Sequence, residues 1–181
     1  MIVPLANQLL TFFEEVVATQ DWHPADHGSF ASQYEGKVPG EQVVLQGVQQ
    51  ILWPDHCVQA SQGAALHPAL ETSQIQKIFH KGTDKNIDSY SAFYDNAHLK
   101  ETGLAAYLHE RGIDTIYVMG LATDYCVKFT CLDAIQLQFK VCLLLDACRG
   151  INLQPNDVSD AVAAMQAVGV KIMHVADVLL K

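Results

Sequence analysis

A cysteine placed directly after a buried-strand pattern is the feature that most constrains how this chain can fold. Residues 115–119 form an apolar run typical of a buried parallel strand, and a helical pattern covers residues 127–137. Cys126 therefore lies on a tight strand-to-helix turn. Free backbone N–H groups and the helix dipole at such a turn stabilise a thiolate and can bind an oxyanion. Acyl transfer through a thioester needs both; the alternative is a cysteine that packs as a small apolar side chain.

The remaining pattern predicts an α/β fold with a parallel sheet flanked by helices in three layers. Strands are predicted at residues 15–19, 74–81, 115–120, 140–146 and 170–174. Helices are predicted at residues 5–13, 99–111 and 127–137, and from Asn156 or Asp157 to Ala167. The stretch from Asp21 to Pro68 reads as irregular and exceeds ordinary connection lengths, which indicates a functional segment. A length of 181 residues suits one domain, residues 1–181.

Composition excludes several classes of function. The formal net charge of −9 and the lack of a Lys/Arg cluster argue against nucleic-acid binding. No apolar run approaches the roughly 20 residues that span a bilayer, so a membrane protein is not expected. The five cysteines have no disulfide-framework spacing, which predicts reduced thiols and a cytoplasmic protein.

Polar side chains follow the predicted strands at one edge of the sheet. Asp21 and His23 come after the first strand, and residues two apart in an extended chain point the same way. His56 offers a third ligand, so that two imidazoles and a carboxylate leave coordination positions open. The ion could be zinc, iron or manganese, and His27 is either a fourth ligand or a neighbour of the ligands. Loop histidines satisfied by hydrogen bonds are the alternative.

Lys81 ends the second predicted strand at the same edge. A lysine beside Cys126 would favour the thiolate by its charge and could hold a proton for transfer. A strand-end lysine is more often a solvated surface group. The sequence therefore predicts a site only if Lys81, Cys126 and the metal ligands meet.

Five segments in this order give the chain a close resemblance to a known family. They are residues 21–23, 53–58, 80–82, 88–93 and 120–127. The chain resembles the nicotinamidases of the isochorismatase-like hydrolase superfamily over essentially its whole length. The resemblance implies the isochorismatase-like hydrolase fold and hydrolysis of nicotinamide to nicotinate and ammonia, in NAD salvage. It also implies pyrazinamide as an analogue substrate.

The resemblance also implies a role for each site residue. Cys126 matches the nucleophile and Lys81 the lysine of a Cys-Lys-Asp triad. The metal ligands match Asp21, His23 and His56, and the family's ion binds the pyridine nitrogen. The oxyanion hole matches the N–H groups of Ala122 and Cys126, with a cis peptide bond between Leu121 and Ala122. The pocket for the substrate ring matches Trp53, Tyr90, Leu121 and Tyr125, for which ordinary core packing is the alternative.

One family feature has no counterpart in this sequence. Family members begin with an apolar strand that ends in an aspartate, and that aspartate completes the triad. The sequence here starts in what resembles the family's first helix, so the first strand is expected to be absent and the domain N-terminally truncated. A downstream gene start, a clipped chain or a degenerate copy would each explain this. Another copy of the chain, or residues 1–3, could occupy the strand's position, and activity could be impaired without the aspartate.

Three other functions remain open from the sequence. The first is a non-catalytic protein that binds nicotinamide or nicotinate in the same pocket. The second is a related cysteine amidohydrolase that acts on a carbamoyl or ureido substrate, although such relatives lack this metal site. A non-haem iron oxygenase fits the two histidines and one carboxylate but gives no reason for Lys81 or Cys126. The expected partner is a small molecule, and the sequence does not predict whether the protein is a monomer or a homo-oligomer.

Overall fold

The computed structural model describes residues 2–180. The strands are β1 (Val17–Asp21), β2 (Gln42–Leu45), β3 (Val48–Ile51), β4 (Lys77–Lys81), β5 (Thr115–Leu121), β6 (Lys140–Arg149) and β7 (Lys171–Met173). The α-helices are α1 (Val3–Leu10), α2 (Leu104–Glu110), α3 (Lys128–Gln136), α4 (Asp157–Ala167) and α5 (Val175–Leu179). No helix within residues 2–180 has the length and apolar character needed to cross a membrane.

Parallel pairing dominates the sheets, which confirms the predicted α/β class. β1 pairs with β4, and β5, β6 and β7 form a second parallel sheet in that order. Within residues 2–180, β4 and β5 are not paired with each other. α1 begins at Val3, so Ile2 and Val3 add no strand there; Met1 lies outside the described residues.

The predicted layers are present on the two faces of the β5–β7 sheet. One face packs against α2, α3 and α4 through side chains that include Leu108, Leu143 and Met165. The other face packs against α1 and α5 through Leu9 and Val178. Burial of each such side chain stabilises the fold by about 1.5–3 kcal/mol. This packing fixes the carboxyl end of β5, where the cysteine turn begins.

Local hydrogen bonding delays the start of one predicted helix, and a π-helical turn precedes another. The helix predicted from residue 99 begins only at Leu104, because Asp95 accepts hydrogen bonds from the Ala97 and Leu99 N–H groups and holds that segment in turns. The helix predicted from residue 127 is preceded by a π-helical turn, Thr123–Val127, which carries Cys126. Such turns frequently lie at functional sites.

The stretch predicted to be irregular contains an antiparallel hairpin formed by β2 and β3. Gln46 and Gly47 connect the strands with φ angles of 50° and 79°, the left-handed conformation of a tight two-residue hairpin turn. Glutamine is uncommon in that conformation, so the turn has a weak sequence signal. The hairpin leads into Trp53 and His56 and so positions part of the site.

Candidate active site

Three strand ends bring the predicted site residues together. β1 ends at Asp21 and β4 at Lys81, and these two residues are paired in the parallel register. β5 ends at Leu121 and continues into the turn that carries Cys126. The lysine and the cysteine lie within contact distance. Carboxyl ends of parallel strands are where α/β proteins bind their ligands.

Lys81 bonds to a carboxylate, a carbonyl and the cysteine sulfur. Its Nζ lies 3.4 Å from Cys126 Sγ, donates a 2.8 Å hydrogen bond to the Ser89 carbonyl and forms an ion pair with the Asp21 carboxylate. The side chain is only 5% exposed. A buried ammonium needs such partners, so the solvated-lysine alternative is excluded.

Burial and neighbouring charges shift the pKa values of Lys81 and Cys126 in opposite directions. Burial alone would lower the pKa of Lys81, but Cys126 and Asp21 raise it above its ordinary value. Burial raises the pKa of the Cys126 thiol, Lys81 lowers it and Asp21 raises it, and the net shift is upward. The charge of Lys81 thus favours the thiolate, while burial opposes it. Cys126 rests as a thiol beside an ammonium group, and its proton must leave during the reaction.

The turn before Cys126 is closed by backbone hydrogen bonds. The Tyr125 and Val127 N–H groups donate to the Ala122 carbonyl at 3.1 and 3.0 Å. The peptide bond between Leu121 and Ala122 is cis, which confirms that prediction. A turn of this kind can direct further N–H groups at an anion.

Asp21, His23 and His56 form a group that fits a metal ion. One ligand atom from each residue lies within 4.8 Å of the others. The Nδ1 atoms of His23 and His56 are 2.9 and 2.8 Å from the carbonyls of Gly82 and Pro54, which leaves each Nε2 free as a ligand. Burial lowers the pKa of His23, so its imidazole is neutral, as metal binding requires. The donor set therefore suits a divalent metal.

His27 lies in a second group beside the first. It is fully buried, and its Nδ1 is 2.7 Å from Ser29 Oγ. Its Nε2 has no hydrogen-bond partner within the described part of the chain. His27, His23 and Asp88 bring ligand atoms within 4.8 Å of one another. Asp88 begins the family-like segment 88–93. The sequence predicts no role for it, because nothing local distinguishes it from a loop aspartate.

Three of the four predicted ring-pocket residues form an aromatic cluster. The Tyr125 ring is 4.8 Å from that of Trp53 and 5.5 Å from that of Tyr90, both edge to face. Leu121 differs, because it is 63% exposed at the end of β5. The cluster provides apolar edges and faces suited to a flat aromatic ring.

Gln50 is a residue that sequence analysis missed. Its buried side-chain amide donates to the Tyr90 hydroxyl at 3.0 Å and to Asp88 Oδ2 at 3.1 Å. The Trp53 Nε1–H also donates to the Tyr90 hydroxyl at 3.0 Å. These bonds fix the tyrosine ring. A glutamine inside an apparently irregular stretch carries no sequence signal for such a role.

Gly82 controls the position of His23. It has a φ of +60°, and a Cβ atom there would collide with the imidazole, 2.6 Å from its Nδ1. We expect Gly82→Ala to weaken metal affinity about 10–100-fold, the effect of disturbing a ligand's support. Isothermal titration with Zn²⁺ measures this. Gly63→Ala is the control, since its nearest neighbour would be 3.6 Å away; equal losses in both variants would contradict the prediction.

Comparison with known proteins identifies the family. The isochorismatase domain family matches residues 2–177. The nicotinamidase of Escherichia coli (strain K12) is 51% identical, over 97% of this chain and 84% of its own length. The solved nicotinamidase/pyrazinamidase of Acinetobacter baumanii is 48% identical with a TM-score of 0.94, over 97% of this chain and 84% of that one. The chain belongs to the isochorismatase family of hydrolases, and the predicted resemblance and fold are confirmed.

Two further solved relatives contain ligands. The yeast nicotinamidase bound to the inhibitor nicotinaldehyde is 29% identical with a TM-score of 0.89, over 96% of this chain and 87% of that one. The pyrazinamidase of Pyrococcus horikoshii in complex with zinc is 34% identical with a TM-score of 0.75, over 96% and 80%. The chain is thus similar to nicotinamidases and pyrazinamidases of this family.

Proposed function

We propose that this protein, as one domain, hydrolyses nicotinamide to nicotinate and ammonia through a thioester on Cys126. The observation that carries the proposal is the position of Lys81. Its Nζ contacts the Cys126 sulfur at 3.4 Å and pairs with Asp21, a member of the candidate metal group. Nucleophile, cation and metal ligands therefore share one cleft. The relatives named as nicotinamidases support the same substrate.

The ring of the substrate would lie between the aromatic cluster and the metal group. Trp53, Tyr90 and Tyr125 would contact the flat ring, with Leu121 at the margin. Asp21, His23 and His56 would hold zinc, iron or manganese. When bound, the ion would supply a Lewis acid for the pyridine nitrogen, which orients the ring and withdraws electrons from it. The zinc-bound relative from Pyrococcus horikoshii supports such an ion.

Attack by the sulfur forms a C–S bond at the carboxamide carbon. The negative charge that develops on the carboxamide oxygen would be stabilised by the N–H groups of Ala122 and Cys126. The thiol proton ends on the departing amino group, so that ammonia leaves and a thioester remains. The Lys81 ammonium would stabilise the sulfur's negative charge while the proton is in transit.

Water completes the cycle by attacking the thioester carbon. Its oxygen forms the new C–O bond, the C–S bond breaks, and one water proton returns to Cys126. The same two N–H groups would stabilise the second oxyanion. The second water proton passes from the product carboxyl group to ammonia, so the overall reaction consumes one water and releases nicotinate and ammonia as ammonium.

A non-catalytic nicotinamide-binding protein is the second candidate. One observation favours it: within residues 2–180, the carboxylate bonded to Lys81 is Asp21, which is also a candidate metal ligand. An acid reserved for proton transfer from Cys126 is not among the partners of Lys81 there. A carboxylate that binds a metal is a poor proton acceptor, so this arrangement would bind the substrate more readily than turn it over.

Ammonia release by the metal-loaded protein distinguishes the candidates. We expect release from nicotinamide and from pyrazinamide, whose carboxamide has the same position relative to a ring nitrogen. Benzamide, which lacks that nitrogen, is the matched control and should react far more slowly. Binding of nicotinamide without any ammonia would establish the second candidate instead.

Loss of one imidazole tests the metal proposal. We expect His56→Ala to remove most bound Zn²⁺ and to lower kcat/KM for nicotinamide about 100-fold or more, since two remaining ligands hold an ion poorly. Metal content measured by elemental analysis and ammonia release give the two readouts. His67→Ala changes an exposed histidine outside the site and should leave both unchanged. Full zinc content in His56→Ala would contradict the proposed ligand set.

A further inference from the structure

Asp124 is a buried carboxylate in the cysteine turn that the proposed reaction does not use. It lies two residues before Cys126, within Thr123–Val127, and is 6% exposed. Its side chain contacts the loop that follows β6. A buried carboxylate needs hydrogen-bond donors, and its donors identify its role.

Both oxygens of Asp124 accept hydrogen bonds from successive backbone N–H groups. The Ile151 N–H donates to Oδ1 at 3.0 Å and to Oδ2 at 3.2 Å, and the Asn152 N–H donates to Oδ2 at 2.7 Å. Hydrogen bonds to an ionised acceptor are roughly twice as strong as neutral ones. The carboxylate thus clamps the cysteine turn to the loop between β6 and α4.

The loop is itself fixed at the other end. Asn152 has a φ of 53°, and its side-chain oxygen accepts a 3.0 Å hydrogen bond from the Val158 N–H in the first turn of α4. Gly150 allows the close approach, because a Cβ there would collide with Val158 and lie 3.1 Å from Asp124 Oδ1. The turn is therefore anchored to a packed helix rather than to a mobile segment.

We propose that Asp124 is a positioning residue for the oxyanion hole. Through the loop, it holds the turn so that the N–H groups of Ala122 and Cys126 stay directed at the carboxamide oxygen. The proposal rests on the thioester function proposed above. Hydrogen bonds inside the turn, from Tyr125 and Val127 to Ala122, fix its shape but not its orientation relative to the sheet. Orientation matters because a displacement of about 1 Å can cost about 100-fold in rate.

Asp124→Asn tests the proposal with little change in shape. The amide keeps one acceptor oxygen but turns an NH₂ toward a backbone donor, so one side of the clamp is lost. We expect kcat to fall about 10-fold or more, and less than the roughly 10²–10³-fold loss from deletion of an oxyanion-hole donor. KM should change less than about twofold, because ring binding does not use the clamp.

Nicotinaldehyde supplies the readout that a merely structural role would not change. Addition of the Cys126 S–H to its carbonyl forms a C–S bond and places the charge or hydroxyl of the adduct in the oxyanion hole. We expect its affinity to fall in parallel with kcat. Alkylation of Cys126 by iodoacetamide needs no oxyanion hole, so its rate should stay the same. Active sites counted by the stoichiometry of nicotinate binding correct kcat for any unfolded protein.

Asp146→Asn is the matched control. Asp146 also accepts a backbone hydrogen bond, from the Val175 N–H at 2.9 Å, but at α5 and away from the turn. It should leave kcat and aldehyde affinity unchanged. Unchanged aldehyde affinity in Asp124→Asn, or a loss of kcat that disappears after active-site counting, would overturn the proposal. The aldehyde comparison needs no turnover, so absence of ammonia release by the wild type would refute the nicotinamidase proposal alone.

Discussion

Replacement of Cys126 by alanine is expected to abolish ammonia release from nicotinamide, with kcat falling on the order of 10⁴-fold or more. The physical reason is that the thioester cannot form without the sulfur that Lys81 Nζ contacts at 3.4 Å. Affinity for nicotinate should persist, since the aromatic cluster and the metal group are unchanged. A coupled ammonia assay and a nicotinate titration measure the two quantities.

The matched control is Cys131→Ala, because this cysteine is fully buried in α3. Burial raises the pKa of its thiol to about 12, so it is no nucleophile at neutral pH. The substitution should leave kcat nearly unchanged. Residual turnover by Cys126→Ala within about tenfold of the wild type would refute the thioester route, since general acid–base groups alone would then suffice.

Replacement of Lys81 by methionine is expected to cause the second large loss of activity. We expect kcat to fall about 10²–10⁴-fold, the range for loss of a group that takes part in proton transfer. Methionine keeps the length and apolar stem but removes the ammonium that contacts Cys126 and Asp21. The free Asp21 carboxylate then lies near the sulfur without a cation, which further disfavours negative charge on Cys126.

Iodoacetamide separates this electrostatic effect from misfolding. The alkylation rate of Cys126 should fall in Lys81→Met, because a smaller fraction of the thiol ionises without the ammonium group. Thermal unfolding measures any loss of stability separately. Lys85→Met is the control, because Lys85 pairs with Asp26 at the surface with both side chains more than half exposed. Such exposed pairs contribute little to stability, because water screens them. An unchanged alkylation rate in Lys81→Met would contradict the proposed role of the ammonium.

Much of the fold and of the candidate site could be predicted from the order of the motifs along the chain. Alternation of strand and helix patterns predicted the parallel α/β class, and Lys81 and Cys126 were placed at strand ends where chemistry-bearing side chains meet. The β2–β3 hairpin was not predicted, because Gln46 in a left-handed conformation gives a weak turn signal. Gln50, Asp88 and the clamp by Asp124 were also missed, since their partners lie 27 or more residues away along the chain.

The protonation of Cys126 also depends partly on local sequence and partly on tertiary packing. Lys81 beside Cys126 suggested a thiolate, because sequence gives the sign of a neighbouring charge. It does not give the desolvation that burial imposes, and burial together with the Asp21 charge keeps the pKa of Cys126 above its ordinary value despite Lys81. The competing ion pair with Asp21 likewise depends on the register of β1 against β4.

Sequence by itself therefore determined which chemical groups this protein has and near which strand ends they lie, because strand periodicity and motif spacing are local properties. Tertiary structure alone decided which of them touch: the contact of Lys81 with Cys126, the closing of three ligands into a metal group, and the anchoring of the cysteine turn by Asp124. Those contacts join residues distant in the chain, and their distances and burial exist only once the sheets and helices have packed.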